Sequence, residues 1–276
     1  MVAIALVTGT SSGMGLHTAV GLAARGATVV ATMRDPARAG ELTAAAEQAG
    51  VQLHVRALDV TEQHSIDSCL AEVSREFGSV EVLVNNAGRG RVATLEQLER
   101  ADLQEQLDVN YLGVAAMTKA VLPGMRAAGR GRIVTVTSVG GVIGQPFADA
   151  YCGAKFAVEG LMQSLAPVLA RLGITVSVVE PGAVASSFVA NVNRLDPAAD
   201  DPYGELLQAY LRRSDSSFAQ AQTPESAAEV IVEAALTDAP RFRWQTSAGA
   251  SAFAGLSLAD LDGSRVLGAT GGWLEV

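Results

Sequence analysis

The sequence of 276 residues predicts a single α/β domain, doubly wound around a mainly parallel seven-stranded sheet. Three observations carry this. Short β-branched runs alternate with longer amphipathic stretches, the pattern of strand–helix–strand units around a parallel sheet. The runs Val80 to Val84 and Ile174 to Val179 are nearly continuous in apolar residues, as strands covered on both faces are. A glycine-rich segment, Thr8-Gly9-Thr10-Ser11-Ser12-Gly13-Met14-Gly15, stands between the first apolar run and an alanine-rich helical stretch. Length alone allows one large domain or two small ones, and α/β domains commonly reach this size, so residues 1–276 read as one.

The elements follow in order. Residues 2–8 form a strand: they are apolar, lack the preceding basic segment of an export signal, and run straight into the glycine turn. A helix at 14–25 and a strand at 27–32 come next. Asp35-Pro36 then opens a helix at 36–49, with Asp35 reading as its N-cap and Pro36 as its first residue. A strand at 51–58 leads to a helix at 62–77, which Asp59 is placed to cap. The strand at 80–85 ends in Asn85-Asn86-Ala87-Gly88. One long helical stretch is expected over 95–128, with Asn110 as a polar residue that breaks or caps it. A strand at 131–137 ends at the hydroxyls of Thr137 and Ser138, and a helix at 150–172, a strand at 174–180 and the turn Pro181-Gly182 follow. Residues 186–222 are polar, mixed in sign and marked by Asp196-Pro197 and Asp200-Asp201-Pro202. At that length they read as a substrate loop or lid rather than a plain connection. A helix at 224–236 and a strand at 241–246 complete the sheet.

Composition excludes several function classes. Apolar residues make up 49 % of the chain and charged residues 18 %, the balance of a core-rich protein. The formal charge of −9 opposes nucleic-acid binding, because phosphate contacts need clustered Lys and Arg. Apolar stretches such as Val114 to Leu122 are broken by Lys119 and followed by Pro123, short of a membrane span. Cys69 and Cys152 match no disulfide framework, which fits a reducing cytoplasm. His17, His54 and His64 form no close pair with a third ligand, so no metal is expected.

The chemistry-bearing motif is Tyr151-Cys152-Gly153-Ala154-Lys155. Lys119 and Lys155 are the only lysines in the sequence, and with four tyrosines a Tyr-x-x-x-Lys match arises by chance roughly 0.03 times. On a helix the two side chains share a face. An ammonium there favours the phenolate, and lowering a tyrosine pKa from about 10 towards neutrality takes about 4 kcal/mol of differential stabilisation. An exposed tyrosine beside an exposed lysine is the bland alternative. The glycine segment, in turn, lets backbone N–H groups from Gly9 through Ser11, Ser12, Gly13 and Met14 to Gly15 approach a pyrophosphate at a helix N-terminus, as in the Rossmann pattern. A ligand-free tight turn is the other reading. About twenty residues on, Asp35 fits the ribose-binding acid of NAD sites. Its capping role competes with that, and the adjacent Arg34, after neutral Met33, offers a guanidinium for a 2′-phosphate, so NADP(H) is favoured over NAD(H).

These residues together resemble the short-chain dehydrogenase/reductase family. Thr8-Gly9-x-x-x-Gly13-x-Gly15, Asp59-Val60, Asn85-Asn86-Ala87-Gly88, Asn110, Ser138, Tyr151-x-x-x-Lys155 and Pro181-Gly182 stand in the family's order over residues 3–190. The runs Ser138 to Phe147, Tyr151 to Leu161 and Thr32 to Asp35 are similar to the branch containing 17β-hydroxysteroid and retinol dehydrogenases. The resemblance implies roles. Tyr151 would be the general acid in ketone reduction and base in alcohol oxidation, Lys155 would lower its pKa and bind the nicotinamide ribose, Ser138 would hold the substrate oxygen, and Asn110 would position a water relay. It further places Asp59 and Val60 at the adenine, has Asn86, Ala87 and Gly88 either bind on the adenine-ribose side or support the central strands, and sets Pro181, Gly182, Val184 and Ser186 beside the nicotinamide, with Ser186 standing where the family commonly has threonine. It also puts the helices over 95–128 and 150–172 in a homodimer or homotetramer interface, where Leu112, Val114, Met117, Phe156, Val158 and Leu161 exceed a single apolar stripe.

The implied activity is hydride transfer between NADP(H) and a secondary alcohol or ketone. A small hydrophobic partner, steroid-, retinoid- or polyketide-like, is expected from apolar residues around the catalytic positions: Val142, Ile143, Pro146 and Phe147 before Tyr151, and Val184, Phe188 and Val189 opening the lid, with Tyr210 and Phe218 as further wall. Core filling is the alternative for these. Imine or enone reduction, or a catalytically silent nucleotide-sensing scaffold, are the competing functions; intact Asn110, Ser138, Tyr151 and Lys155 argue against silence.

Overall fold

The computed structural model describes residues 3–186, 193–194 by backbone, 201–218 and 221–259. The first half runs β1 (Ile4–Thr8), α1 (Gly13–Ala24), β2 (Thr28–Met33), α2 (Gly40–Ala49), β3 (His54–Ala57), α3 (Gln63–Glu76), β4 (Val82–Asn85) and the short β5 (Arg91–Val92). Then come α4 (Arg100–Leu107), a π turn (Asp108–Leu112), α5 (Gly113–Ala128), β6 (Gly131–Val136), α6 (Asp149–Ala170), β7 (Ile174–Glu180) and β8 (Asn193–Arg194). The chain closes with α7 (Gly204–Phe218), α8 (Pro224–Leu236), β9 (Arg243–Gln245) and α9 (Ala248–Leu258).

Seven strands pair in the order β3-β2-β1-β4-β6-β7-β9, every pair parallel. Strand order reverses between β1 and β4, whose carboxyl ends therefore open a crevice, the place where doubly wound sheets bind ligands. Alternation along each strand sends side chains to two helical layers. Ala5 and Val7 of β1 join Leu16, Ala19 and Leu22 of α1 and Ile231 and Val232 of α8. Leu6, between them in sequence, joins Ile66 and Val73 of α3, Met117 and Val121 of α5 and Val158 and Met162 of α6. At ~25 cal/mol per Å² of apolar surface, each large side chain of this kind contributes about 1.5–3 kcal/mol on burial.

Several boundaries differ from the sequence expectation. The strand expected at 51–58 covers only His54–Ala57. The helix expected from residue 36 begins with a 3₁₀ turn at Pro36–Arg38, and α2 proper starts at Gly40. The single stretch expected over 95–128 is divided into a 3₁₀ turn at Leu95–Gln97, α4, the π turn and α5. Within the segment read as a polar lid, residues 204–218 form α7, and α9 follows the last strand. Among the described residues no helix is long and apolar enough to cross a membrane, and no three His, Cys, Asp or Glu side chains converge as a metal site would require.

Candidate active site

The glycine turn is built by steric need. Gly9 has φ +71°, and a Cβ there would lie 2.8 Å from Ala87 Cα; at Gly15 a Cβ would lie 2.3 Å from both Asn86 Nδ2 and the Gly9 carbonyl oxygen. No side chain fits at either position. Asn86 fixes this packing by donating its amide to the carbonyls of Thr8 and Gly9, each at 2.9 Å. The Thr8 hydroxyl in return accepts from the N–H groups of Asn86 and Ala87 at 3.0 Å. The carboxyl ends of β1 and β4 are thus stitched together with the start of α1 aimed outward. That start has Ser12 as N-cap and no acidic residue in its first turn, so its partial positive charge suits a phosphate group. These residues fit a dinucleotide.

From Met14, Asn86 and Gly88 a cavity of about 940 Å³ runs past Ser138, Tyr151 and Lys155 to Pro181, Gly182, Val184 and Ser186. Of the other predicted cofactor residues, Gly9, Ser11, Ser12, Gly13, Gly15, Arg34, Asp59, Val60 and Ala87 do not line it. Arg34 is exposed and makes no ion pair among the described residues. Asp35 accepts from the Ala37 N–H at 3.0 Å, so its carboxylate caps the 3₁₀ turn. Met33 is 4 % exposed and packs into the sheet–helix core. Asp59 accepts from the N–H and hydroxyl of Thr61 at 2.9 and 2.7 Å, closing the turn before α3, whose N-cap is Glu62. Val60 packs on Gly113, where a Cβ would come within 2.8 Å of it.

Asn110 is fully buried in the π turn, a helical widening often found at functional sites. Its Oδ1 accepts from the Arg89 N–H at 3.1 Å, and its Nδ2 donates to the Arg89 carbonyl at 2.9 Å and to Gln106 Oε1 at 3.2 Å. The amide thereby clamps the chain after Gly88. A Cβ at Gly88 would stand 3.1 Å from Asn110 Oδ1 and 3.7 Å from Lys155 Nζ, so the two side chains close on that glycine. Lys155 Nζ donates to the Val136 carbonyl at 3.0 Å and lies 5.8 Å from the Tyr151 ring centre. Ser138 Oγ accepts from the Gly140 N–H at 2.9 Å and is hydrogen-bonded to Tyr151. Ser138, Tyr151 and Lys155 are brought to one wall of the cavity by the end of β6 and α6, whereas Asn110, on the π turn, is buried behind Gly88 and does not line it.

Electrostatics correct one expectation. Burial holds the Tyr151 phenol above its ordinary pKa, and the hydrogen bond with Ser138 only partly opposes that. Burial also lowers Lys155 to about 8, against the upward pull of Glu159. Desolvation disfavours both charged forms, so the expected depression of the phenol by Lys155 does not occur here. At neutral pH Tyr151 keeps its proton.

The expected substrate wall is also revised. Val142 and Ile143 are buried with Ala254 under α9, and Phe147 packs with Val92 and Leu207, its ring 5.6 Å from that of Tyr210. They stand behind the cavity surface because the 3₁₀ turn Val139–Gly141 and the start of α6 turn them inward. Phe147 adopts φ 57°, a left-handed conformation that strains a bulky residue. Tyr210 and Phe218 do line the cavity, as do Val92, Gln145, Phe253 and Leu256, the last two from α9, whose interspersed Ala, Gly and Ser gave no amphipathic signal. Phe188 and Val189 lie outside the described residues.

Comparison with known proteins agrees with this geometry. A family model described as short chain dehydrogenase matches residues 3–196. Human retinol dehydrogenase 8 is 40 % identical over 272 residues, covering 94 % of this chain and 86 % of its own. Mouse 17-beta-hydroxysteroid dehydrogenase type 1 is 39 % identical, over 87 % of this chain and 72 % of its own. A solved actinorhodin polyketide ketoreductase variant with NADPH is 30 % identical with a TM-score of 0.78, over 90 % of this chain and 97 % of that one.

Proposed function

Because this chain belongs to the short-chain dehydrogenase family and is an NAD(P)-dependent oxidoreductase, we propose that it interconverts a bulky apolar ketone and its secondary alcohol with NADP(H). The observation that carries this reading is one cavity that meets the glycine turn at Met14 and has Ser138, Tyr151 and Lys155 on its wall. When bound, the nicotinamide supplies or takes up the hydride. The chain's own residues do the rest. Ser138, already hydrogen-bonded to Tyr151, orients the carbonyl oxygen, and the protonated Tyr151 gives that oxygen its proton as charge develops on it. Lys155 keeps positive charge beside the phenol and offers donors to the ribose. Asn110 holds the chain at Arg89, next to Gly88, where a Cβ would stand 3.7 Å from Lys155 Nζ.

Exposed Arg34, with Asp35 engaged as a cap, supports NADP(H) over NAD(H), since a guanidinium matches a 2′-phosphate. The relative with NADPH bound is in keeping with this. Val92, Val184, Tyr210, Phe218, Phe253 and Leu256 make much of the cavity wall apolar, which favours a ring-sized hydrophobe over a small polar ketone by several kcal/mol at about 25 cal/mol per Å². The similarity to retinol and 17-beta-hydroxysteroid dehydrogenases points the same way. A cytoplasmic site of action is part of this reading, in keeping with two free, buried cysteines.

The test is NADPH oxidation with a steroid-sized ketone, a simple aliphatic ketone and a sugar ketone, using Tyr151→Phe as the blank. The steroid-sized ketone is expected to give the highest kcat/KM. Equal values, or a preference for the sugar, would overturn the apolar-substrate reading and leave hydride transfer standing.

A further inference from the structure

Glu159 lies one turn beyond Lys155 on α6, the spacing at which helical side chains share a face. Each is 4 % exposed. Glu180, at the end of β7, is wholly buried. Arg243 of β9 bridges the two carboxylates, its Nη1 2.7 Å from Glu159 Oε2 and also in contact with Glu180 Oε1. Gln245 Nε2 donates to Glu180 Oε2 at 2.8 Å. When both are ionised, two carboxylates on one guanidinium leave one negative charge in excess; burial, with Glu180 beside it, holds the Glu159 carboxyl above its ordinary pKa against the pull of Arg243. The turn after Ser138 closes over this group with no room for a side chain: a Cβ at Gly141 would lie 3.0 Å from Glu159 Cγ and 3.2 Å from the Lys155 carbonyl oxygen. Thr137 also approaches Glu159, but its one hydroxyl proton is directed to the Val179 carbonyl at 3.0 Å. Glu159 Oε1 is therefore a buried carboxylate oxygen without a donor.

Four residues before Glu159 on the same face of α6 stands Lys155, buried like it, whose own hydrogen bond goes to an uncharged carbonyl and which makes no direct ion pair with Glu159. Arg89 pairs with Glu105 and Arg91 with Asp102. Tyr151 and Cys152 stay neutral because burial raises both. We propose that Glu159, held in place by the Arg243–Glu180 pair, is the counter-charge of Lys155, a positioning residue that keeps the ammonium protonated beside Tyr151. In a water-poor wall such an anion acts over longer distance than in solvent. Burial lowers the Lys155 pKa and Glu159 raises it, so loss of the carboxylate makes the amine shed its proton at lower pH. The assignment rests on the reading that Lys155 serves proton transfer at Tyr151, but it can be measured without turnover.

Lys119 and Lys155 are the only lysines in the sequence, so lysine labelled at Cε gives two NMR signals, assigned with Lys119→Arg. In the otherwise unaltered protein Lys155 should titrate at about 8. Glu159→Gln should lower that midpoint by about one pH unit and carry the alkaline limb of kcat/KM for ketone reduction down with it. Glu159→Asp, which keeps the charge, should restore both. Glu180→Gln retains the Glu159–Arg243 bridge and should move Lys155 the same way by a smaller step, which provides the answer if Glu159→Gln does not fold. A Lys155 midpoint unmoved in the folded variants, even with a lowered melting temperature, would leave Glu159 a structural role and overturn the proposal. Shifted midpoints in a protein that reduces no ketone would support the counter-charge and sink the ketone–alcohol reading instead.

Discussion

Burial acts on Tyr151 and Lys155 in opposite directions on the pH scale and to one chemical end: the phenol rises, the ammonium falls to about 8, and each is pressed towards its neutral form. A phenol that keeps its proton is an acid in waiting, which suits reduction. Tyr151→Phe removes that proton and nothing else of size, so kcat should fall by about 10²–10⁴-fold while cofactor binding, followed by NADPH fluorescence, stays near that of the parent protein. Retention of half the parent kcat would contradict the assignment. The two thiols give a stability test with a definite sign. Burial pushes Cys69 and Cys152 up to about 11 from 9.0. Between those values the unfolded chain gives up thiol protons that the folded chain keeps, so stability is complete below pH 9 and is lost as pH rises through about 11. Urea unfolding of Cys69→Ala/Cys152→Ala should show a shallower loss over that window than the parent, whatever the offset at pH 8.

Among the elements, those with a clean period were legible. Strands β1, β4 and β7 read directly as apolar runs, and α1, α3, α6 and α8 fell within a few residues of their expected spans. The π turn was not legible: one extra residue shifts helical phase without interrupting the apolar pattern, so 95–128 looked continuous. For α7 the buried stripe is thin, Leu207 and Ala209 among charged neighbours, and the segment looked like loop. The same gap explains the substrate wall, because sequence order placed Val142, Ile143 and Phe147 near Tyr151 but carried no side-chain direction. The end of β2 shows what sequence can weigh without deciding. Asp35 was legible both as cap and as ribose ligand, and its bond to Ala37 commits it to the turn. Arg34→Ala should therefore raise the Kd for NADPH by about tenfold, the scale of one charge-assisted hydrogen bond at roughly 1.4 kcal/mol, and leave that for NADH nearly unchanged. Equal weakening of both would return the ribose role to Asp35.

On the scale of the whole molecule, the candidate catalytic groups gather near the carboxyl edge of the sheet, and the outer faces of the helices are the surfaces open to association. Of the apolar residues expected at a subunit interface, Val114, Met117 and Val158 are buried in the protein's own core. Leu112 and Phe156 remain 47 % and 45 % exposed, on the π turn and on α6. Both elements also hold the site, since Leu112 follows Asn110 by two residues and Phe156 adjoins Lys155. A second copy seated on this face would shield those side chains from water and brace the helices that position Asn110 and Lys155. We therefore expect a homodimer or homotetramer by light scattering at micromolar concentration. The double variant Leu112→Glu/Phe156→Glu, with two anions added to a chain already at −9, should run as monomer. Its kcat should fall more than its affinity for NADPH, because the glycine turn lies on another part of the crevice. A parent protein that is monomeric throughout would remove association from the account, and a monomeric variant with full kcat would show that the two helices hold the site unaided.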